Sequence, residues 1–164
     1  MSEEKENVIQ VAVGENASYI KVIGRATFNL APDLKNFIER QMEKKLQDFF
    51  IDLKDCECMD STFVGVITSL AIKYSTDNGN YIKLFNLSEH LIKILNTLGL
   101  LNVLCIFNTA SDEGVSFTEA EKTGASKKEL TETMLEAHET LSAINEKNAL
   151  EFKNVVDYLR QEVN

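Results

Sequence analysis

The chain has 164 residues, 44% of them hydrophobic and 26% charged, which supports one compact domain with room for an appendage and argues against wholesale disorder. With 17 basic and 26 acidic side chains its formal net charge is -9, a field that repels phosphate backbones and anionic lipid, so neither direct nucleic-acid binding nor membrane association is expected. No run approaches the roughly 18 apolar residues of a membrane span, residues 1–6 lack the apolar core of a signal peptide, and three cysteines imply no disulfide framework, so the expected setting is cytoplasmic and reduced.

Residues 8–13 and 19–23 are short β-branched runs separated by Gly14-Glu15-Asn16, the pattern of a β-hairpin, with Gly24 ending the second strand. Pro32 suits the first turn of a helix, where its missing N–H has no intrahelical partner. Leu34, Phe37, Ile38, Met42 and Leu46 then recur at helical spacing and predict an amphipathic helix over 32–46. Residues 49–53 form a short apolar strand, central in the sheet. It runs into an acidic turn, and a second helical pattern opens at Ser61 with Phe63, Val64, Ile67, Leu70, Ala71 and Tyr74 on one broad buried face.

Asn78-Gly79 closes that helix and residues 81–85 form the next strand. Ser88 caps a third helix with Leu91, Ile94, Leu95 and Leu98 inward and Gly99 as its left-handed stop. Residues 103–107 are a last strand, and Ser116 with Glu119 has capping-box spacing for a short helix. Alternating strands and helices after a hairpin predict an α/β domain with a mostly parallel sheet over residues 6–122.

Lys122-Thr123-Gly124-Ala125-Ser126 reads as a joint, after which strand signals stop. Ser126 and Glu129 again have capping-box spacing. Leu130, Met134, Ala137, Leu141 and Ile144 follow at helical intervals, and Phe152, Val155, Val156, Leu159 and Val163 resume the stripe after Asn145-Glu146-Lys147-Asn148. Residues 126–164 are therefore expected as a helical extension of two helices with a turn at 145–147, one bent helix being the alternative. An isolated helix does not leave such a stripe in water. It packs on the domain, on a twin copy or on a partner.

The order of elements, the strand Phe50-Ile51-Asp52-Leu53, and Met59-Asp60-Ser61-Thr62 followed by Phe63 and Gly65 together resemble the STAS domain, and within it the bacterial anti-sigma factor antagonists. Asn80-Tyr81-Ile82-Lys83-Leu84-Phe85-Asn86 resembles the family's fourth strand, and Ile92-Lys93-Ile94-Leu95-Asn96-Thr97-Leu98-Gly99-Leu100 its following helix and turn. The resemblance covers about three quarters of the chain and stops near residue 122. It implies a mixed sheet with an N-terminal hairpin and covering helices. It also implies a non-enzymatic binding module that takes part in transcription regulation by partner switching, with Ser61 the phosphorylation site. The partners it implies are an anti-sigma factor serine kinase, which adds the phosphate and binds the unmodified form, and a serine phosphatase, which removes it.

Asp60, Ser61, Thr62, Phe63, Asp55 and Glu57 are the expected partner-binding surface, with Thr62 the fallback acceptor. Asp60 is the expected N-cap of the helix that Ser61 opens, a position where the dipole favours a phosphate of about -1.5 to -2 charge. Many members of the family have glycine where this chain has Phe63, which either enters the core or adds an apolar knob beside Ser61.

Other constellations are weaker. Cys56-Glu57-Cys58 offers two thiolates, while His90 and His138 are remote in sequence, so a structural role is expected rather than a metal site. Cys105 reads as core. Asp52, Asp55, Glu57 and Asp60 read as a solvated acidic rim rather than a cation site. No cofactor is expected, and no phosphate loop, zinc-helix motif or nucleophile elbow occurs. Ser61 has no histidine base at identifiable spacing, so a hydrolase is disfavoured. A STAS subunit of a lipid-transport complex, a stress-signalling scaffold and a small α/β enzyme or nucleotide binder remain as alternatives. The extension is expected to set oligomeric state, as a homodimer, or to dock a second regulator.

Overall fold

The computed structural model describes residues 6–77, 79–107 and 115–164. The readings placed on residues 1–5 and on Asn78 fall outside them. β1 (Val8–Val13) and β2 (Ala17–Ala26) form the expected hairpin, with Val8 opposite Ile23 and Val13 opposite Ser18. Gly24 does not end β2. It sits at φ 84° in a bulge with its N–H donating to the Asp55 carbonyl at 2.9 Å, and the strand resumes to Ala26. Glycine takes that φ without steric cost, and the bulge re-aims the strand.

The re-aimed β2 pairs in turn with two parallel neighbours, β3 (Asp48–Asp52) and then β4 (Cys56–Met59). β4 replaces the acidic turn expected there. Cys56 and Met59 point inward and Glu57 outward, a pattern too short to separate from a turn by periodicity. Burial pushes the Cys56 thiol up to about 11, as suits an inert structural cysteine.

α1 (Ala31–Lys44) carries Pro32 in its first turn and stops two residues short of Leu46, which is left 61% exposed. α2 (Ser61–Lys73) is followed by a small antiparallel pair, β5 (Ser75–Thr76) with β6 (Gly79–Asn80), which the sequence did not suggest. β7 (Ile82–Phe85), α3 (Glu89–Thr97), capped by Ser88, and β8 (Cys105–Phe107) follow in the expected order. Cys105 is only half-buried on this edge strand. The helix expected from Ser116 and Glu119 does not form. Thr118–Glu119 is β9, antiparallel to β1, and the Ala120 N–H donates to the Ile9 carbonyl at 2.9 Å. Ladder bonds to an open sheet edge outweigh a capping-box spacing with no apolar stripe behind it.

The larger sheet runs β8-β7-β3-β2-β1-β9, with β4 beside the far half of β2. β3 is interior as expected, and every pairing among β2, β3, β7 and β8 is parallel. Ile20, Ile51 and Leu84 stand in register across β2, β3 and β7 and are buried with Leu34 and Ile38 of α1 and with Phe63 and Ile67 of α2. The alternate residues of these strands, continued by β8, put an aromatic row on the other face. Tyr19, Phe50, Phe85 and Phe107 follow one another with ring centroids 5.2, 5.4 and 5.2 Å apart.

α4 (Lys127–Ser142) and α5 (Glu146–Val163) are two helices rather than one bent one, because Asn145 is extended (φ -159°, ψ 168°) and caps α5 through the Asn148 N–H. Both halves of the Ser126/Glu129 capping box are made. α4 lies along α2, and α5 along α4. Ala137 and Leu141 are fully buried in the same core cluster as the sheet. The apolar stripe that could have met a twin is spent inside the protomer, leaving Leu150 and Tyr158 of α5 exposed.

Candidate functional site

The chain arrives at the site along β4. The Asp60 N–H donates to the Ala26 carbonyl at 3.0 Å, and the residue turns out of the strand at φ -84°, ψ 172°. Its two carboxylate oxygens are then used separately. One accepts from the Phe63 N–H at 2.8 Å, the expected cap, and the other from the Phe28 N–H at 2.7 Å, in the loop between β2 and α1. Asp60 thus ties the first turn of α2 to a neighbouring loop as well as capping it. Asp60→Ala leaves both N–H groups without this partner and is expected to cost roughly 2–3 kcal/mol, a cap plus a second hydrogen bond. Urea unfolding measures it, and a loss within error of zero would show that neither bond contributes.

Ser61 is the first residue of α2 and is half-buried. The other expected surface residues divide. Thr62 is 3% exposed and Phe63 fully buried, so neither belongs to an exposed surface. On a helix with sheet on one side and α4 on another, positions two and three face inward. Phe63 fills the core, and Thr62 is closed to modification in this conformation. Asp55 and Glu57 are exposed, at the entry to β4 and along it. Asp52 is occupied structurally, accepting from the Lys54 N–H and from the Asn86 amide, each at 3.0 Å. Among the described residues no group of three or more His, Cys, Asp or Glu is arranged to hold a metal ion.

The residue that sequence reasoning missed is His138. Ser61 Oγ lies 2.9 Å from His138 Nε2, and His138 Nδ1 lies 2.7 Å from the Met134 carbonyl. A carbonyl only accepts, so Nδ1 carries a proton. In the neutral ring Nε2 is then the acceptor and the Ser61 hydroxyl the donor. His138 is 4% exposed, and its ring packs edge-on to Phe152 at 5.4 Å. The expectation that Ser61 has no histidine partner is therefore wrong, because α4 folds back over 77 residues of sequence to supply one. The available signal was a lone imidazole on the apolar stripe of α4, beside Ala137, which once buried has to find a partner.

α4 approaches α2 closely at this point. A Cβ on Gly65 would stand 2.5 Å from the Ala137 carbonyl oxygen and 2.7 Å from its Cβ. Further along, Glu136 accepts from Lys35 at 2.7 Å and from Ser69 at 3.1 Å. The Asn148 amide donates to the Leu98 and Leu141 carbonyls at 2.9 and 3.0 Å, tying the α4–α5 turn to the end of α3. On its remaining side Ser61 borders a groove of about 530 Å³ between α3 and α5, lined also by His90, Lys93, Ile94 and Phe152.

Burial by itself would raise the Glu136 carboxyl, but the Lys35 and Ser69 contacts outweigh it and hold the group below its ordinary value. A carboxylate lowered on folding stabilises above its unfolded pKa and loses that contribution as pH falls through the folded one. The contact of α4 with Lys35 of α1 and Ser69 of α2 is therefore expected to loosen as pH falls through the carboxylate range, by under about 1 kcal/mol because the pair is part-exposed. Hydrogen exchange of α4 amides against pH checks this, and a Glu136→Gln variant should lose the dependence.

The STAS domain family's sequence profile matches residues 8–113. The anti-sigma-B factor antagonist of Bacillus subtilis (strain 168) is 33% identical over 106 residues, 65% of this chain and 94% of that protein. Solved structures share the fold, among them the following two. A candidate anti-sigma factor antagonist of Thermotoga maritima superposes with a TM-score of 0.54 at 20% identity, over 62% of this chain and 87% of that one. The anti-sigma factor antagonist SpoIIAA in its unphosphorylated form gives 0.52 at 14% identity, over 64% and 92%. The profile match ends before α4, so His138 lies outside the matched segment.

Proposed function

Because this chain belongs to the STAS domain family, we propose that it is an anti-sigma factor antagonist: a cytoplasmic binding module that engages a serine-kinase-type anti-sigma factor and is switched by phosphorylation at Ser61. One observation carries the reading. Within the matched segment, the serine directly after the Asp60 cap opens α2, with its hydroxyl beside a groove rather than in the core. The first turn of a helix accommodates added negative charge, so phosphorylation changes the surface and leaves the fold standing. A partner packed against the neutral hydroxyl loses affinity through repulsion and desolvation. A serine phosphatase resets the switch, and the chain contributes no catalysis of its own.

Incubation of the full chain with its cognate anti-sigma-type serine kinase and ATP, followed by mass-spectrometric site mapping, tests this. One phosphate per chain on Ser61 is the expected result. Modification confined to another residue, or none, would remove Ser61 as the switch. The Ser61–His138 pair also has the donor–acceptor order of a nucleophile and its base. An active-site fluorophosphonate is expected to leave Ser61 unlabelled, and labelling would favour an acyl-transfer enzyme instead.

A further inference from the structure

We propose that α4 and α5 are an intramolecular occupant of the Ser61 face, latched by the Ser61–His138 hydrogen bond, which an external partner or kinase has to displace to reach Ser61. The proposal rests on the reading of Ser61 as the switch.

Three features point to an occupied surface rather than to a passive appendage. The first is chemical. The hydroxyl that would receive phosphate, or meet a partner, already spends its proton on His138 Nε2. The second is steric. Gly65 and Ala137 bring α2 and α4 into contact where even one added methyl group would strike backbone. A kinase delivering ATP to Ser61, or a partner lying along α2, meets α4 there. The third is the composition of the contact. Beside the buried Ala137 and Leu141 it uses exposed polar links from Glu136 to Lys35 and Ser69, with one buried link from Asn148 to the end of α3. The exposed Glu136 contacts suit a segment that opens locally while the sheet stays folded.

Opening has a quantitative consequence. If only a fraction of molecules has α4 released, the apparent affinity for any competitor falls to that fraction of its intrinsic value. Phosphorylation acts on the same latch. A phosphoserine has no Oγ proton to donate, so the Ser61–His138 hydrogen bond in its present form is lost when Ser61 is modified, and the helices sense the state of the serine they cover.

Gly65→Ala isolates the effect. Alanine is a better helix former than glycine, so α2 itself is strengthened while the added Cβ wedges α4 away. The full-length parent and variant are compared in two ways, by hydrogen–deuterium exchange and by the initial rate of Ser61 phosphorylation with the cognate anti-sigma-type kinase and ATP. The expected result is at least about tenfold faster exchange in α4, unchanged exchange in β2 and β3, and at least about tenfold faster phosphorylation. His138→Ala removes the latch without adding bulk and should move both readouts in the same direction. It carries the comparison alone if circular dichroism shows Gly65→Ala to be unfolded.

Faster exchange in α4 with phosphorylation rates equal to the parent would overturn the gating and leave the switch at Ser61 intact. α4 amides that exchange no faster in either variant would overturn the latch. No phosphate on Ser61 in parent or variant would overturn the switch itself and the gating with it.

Discussion

Phe63→Gly is expected to remove roughly 4–6 kcal/mol of stability, about 3–5 from emptying a fully buried aromatic site and about 1 from glycine inside a helix. A domain of this size has some 5–15 kcal/mol in all, so the variant should be close to unfolded at room temperature. The reason lies in the packing of α2. Phe63 is among the largest fully buried side chains and belongs to the core cluster that includes Ile20, Ile51 and Leu84 of the sheet. Many proteins of the family this chain resembles have glycine at that place, so the substitution restores a familiar motif and should nevertheless be damaging. Urea unfolding followed by circular dichroism measures the loss. A midpoint shift worth less than about 2 kcal/mol would mean that the site collapses around the missing ring.

Ser61→Asp is expected to lower affinity for the proposed anti-sigma-type kinase by about a hundredfold, some 2.7 kcal/mol, while Ser61→Ala, neutral and without the latch, binds at least as tightly as the parent. The two variants share one defect, since neither has a hydroxyl to donate to His138. Each should therefore lose about 1–3 kcal/mol of stability, the cost of an unpaired buried acceptor. What separates them is charge at the first turn of α2, so a difference in binding without a matching difference in stability isolates the electrostatic switch. Isothermal titration calorimetry with urea unfolding of the same preparations reads both quantities.

Much of the fold was legible because the strongest signals were periodic. The α1 stripe as far as Met42, the α3 stripe, the capping serines at 88 and 126, and the Asp60 cap all appear where spacing placed them. What escaped was short or paired over long range. β4 has four residues, and its partner is the far half of a bulged β2. Nothing in Gly24 alone distinguishes a strand end from a bulge with positive φ. β9 forms because β1 leaves an open edge for it, and the local Ser116/Glu119 spacing carries no information about that edge.

The candidate site divides in the same way. Asp60 and Ser61 were readable from local sequence, because a cap acts over three residues. Thr62 looked like surface only while the helix was considered without its neighbours, and for Phe63 the spacing left core and surface both open. His138 was invisible as a partner for Ser61 because the contact depends on how α4 crosses α2, which turns on the close approach at Gly65 and Ala137. The extension therefore ceased to be an add-on, since it forms one wall of the site.

The most direct measurement is the dissociation constant of the chain for the proposed anti-sigma-type serine kinase, determined before and after stoichiometric phosphorylation of Ser61. A weakening of about a hundredfold or more, with unchanged circular dichroism, is the predicted result. Equal constants for the two forms would contradict a switch at Ser61.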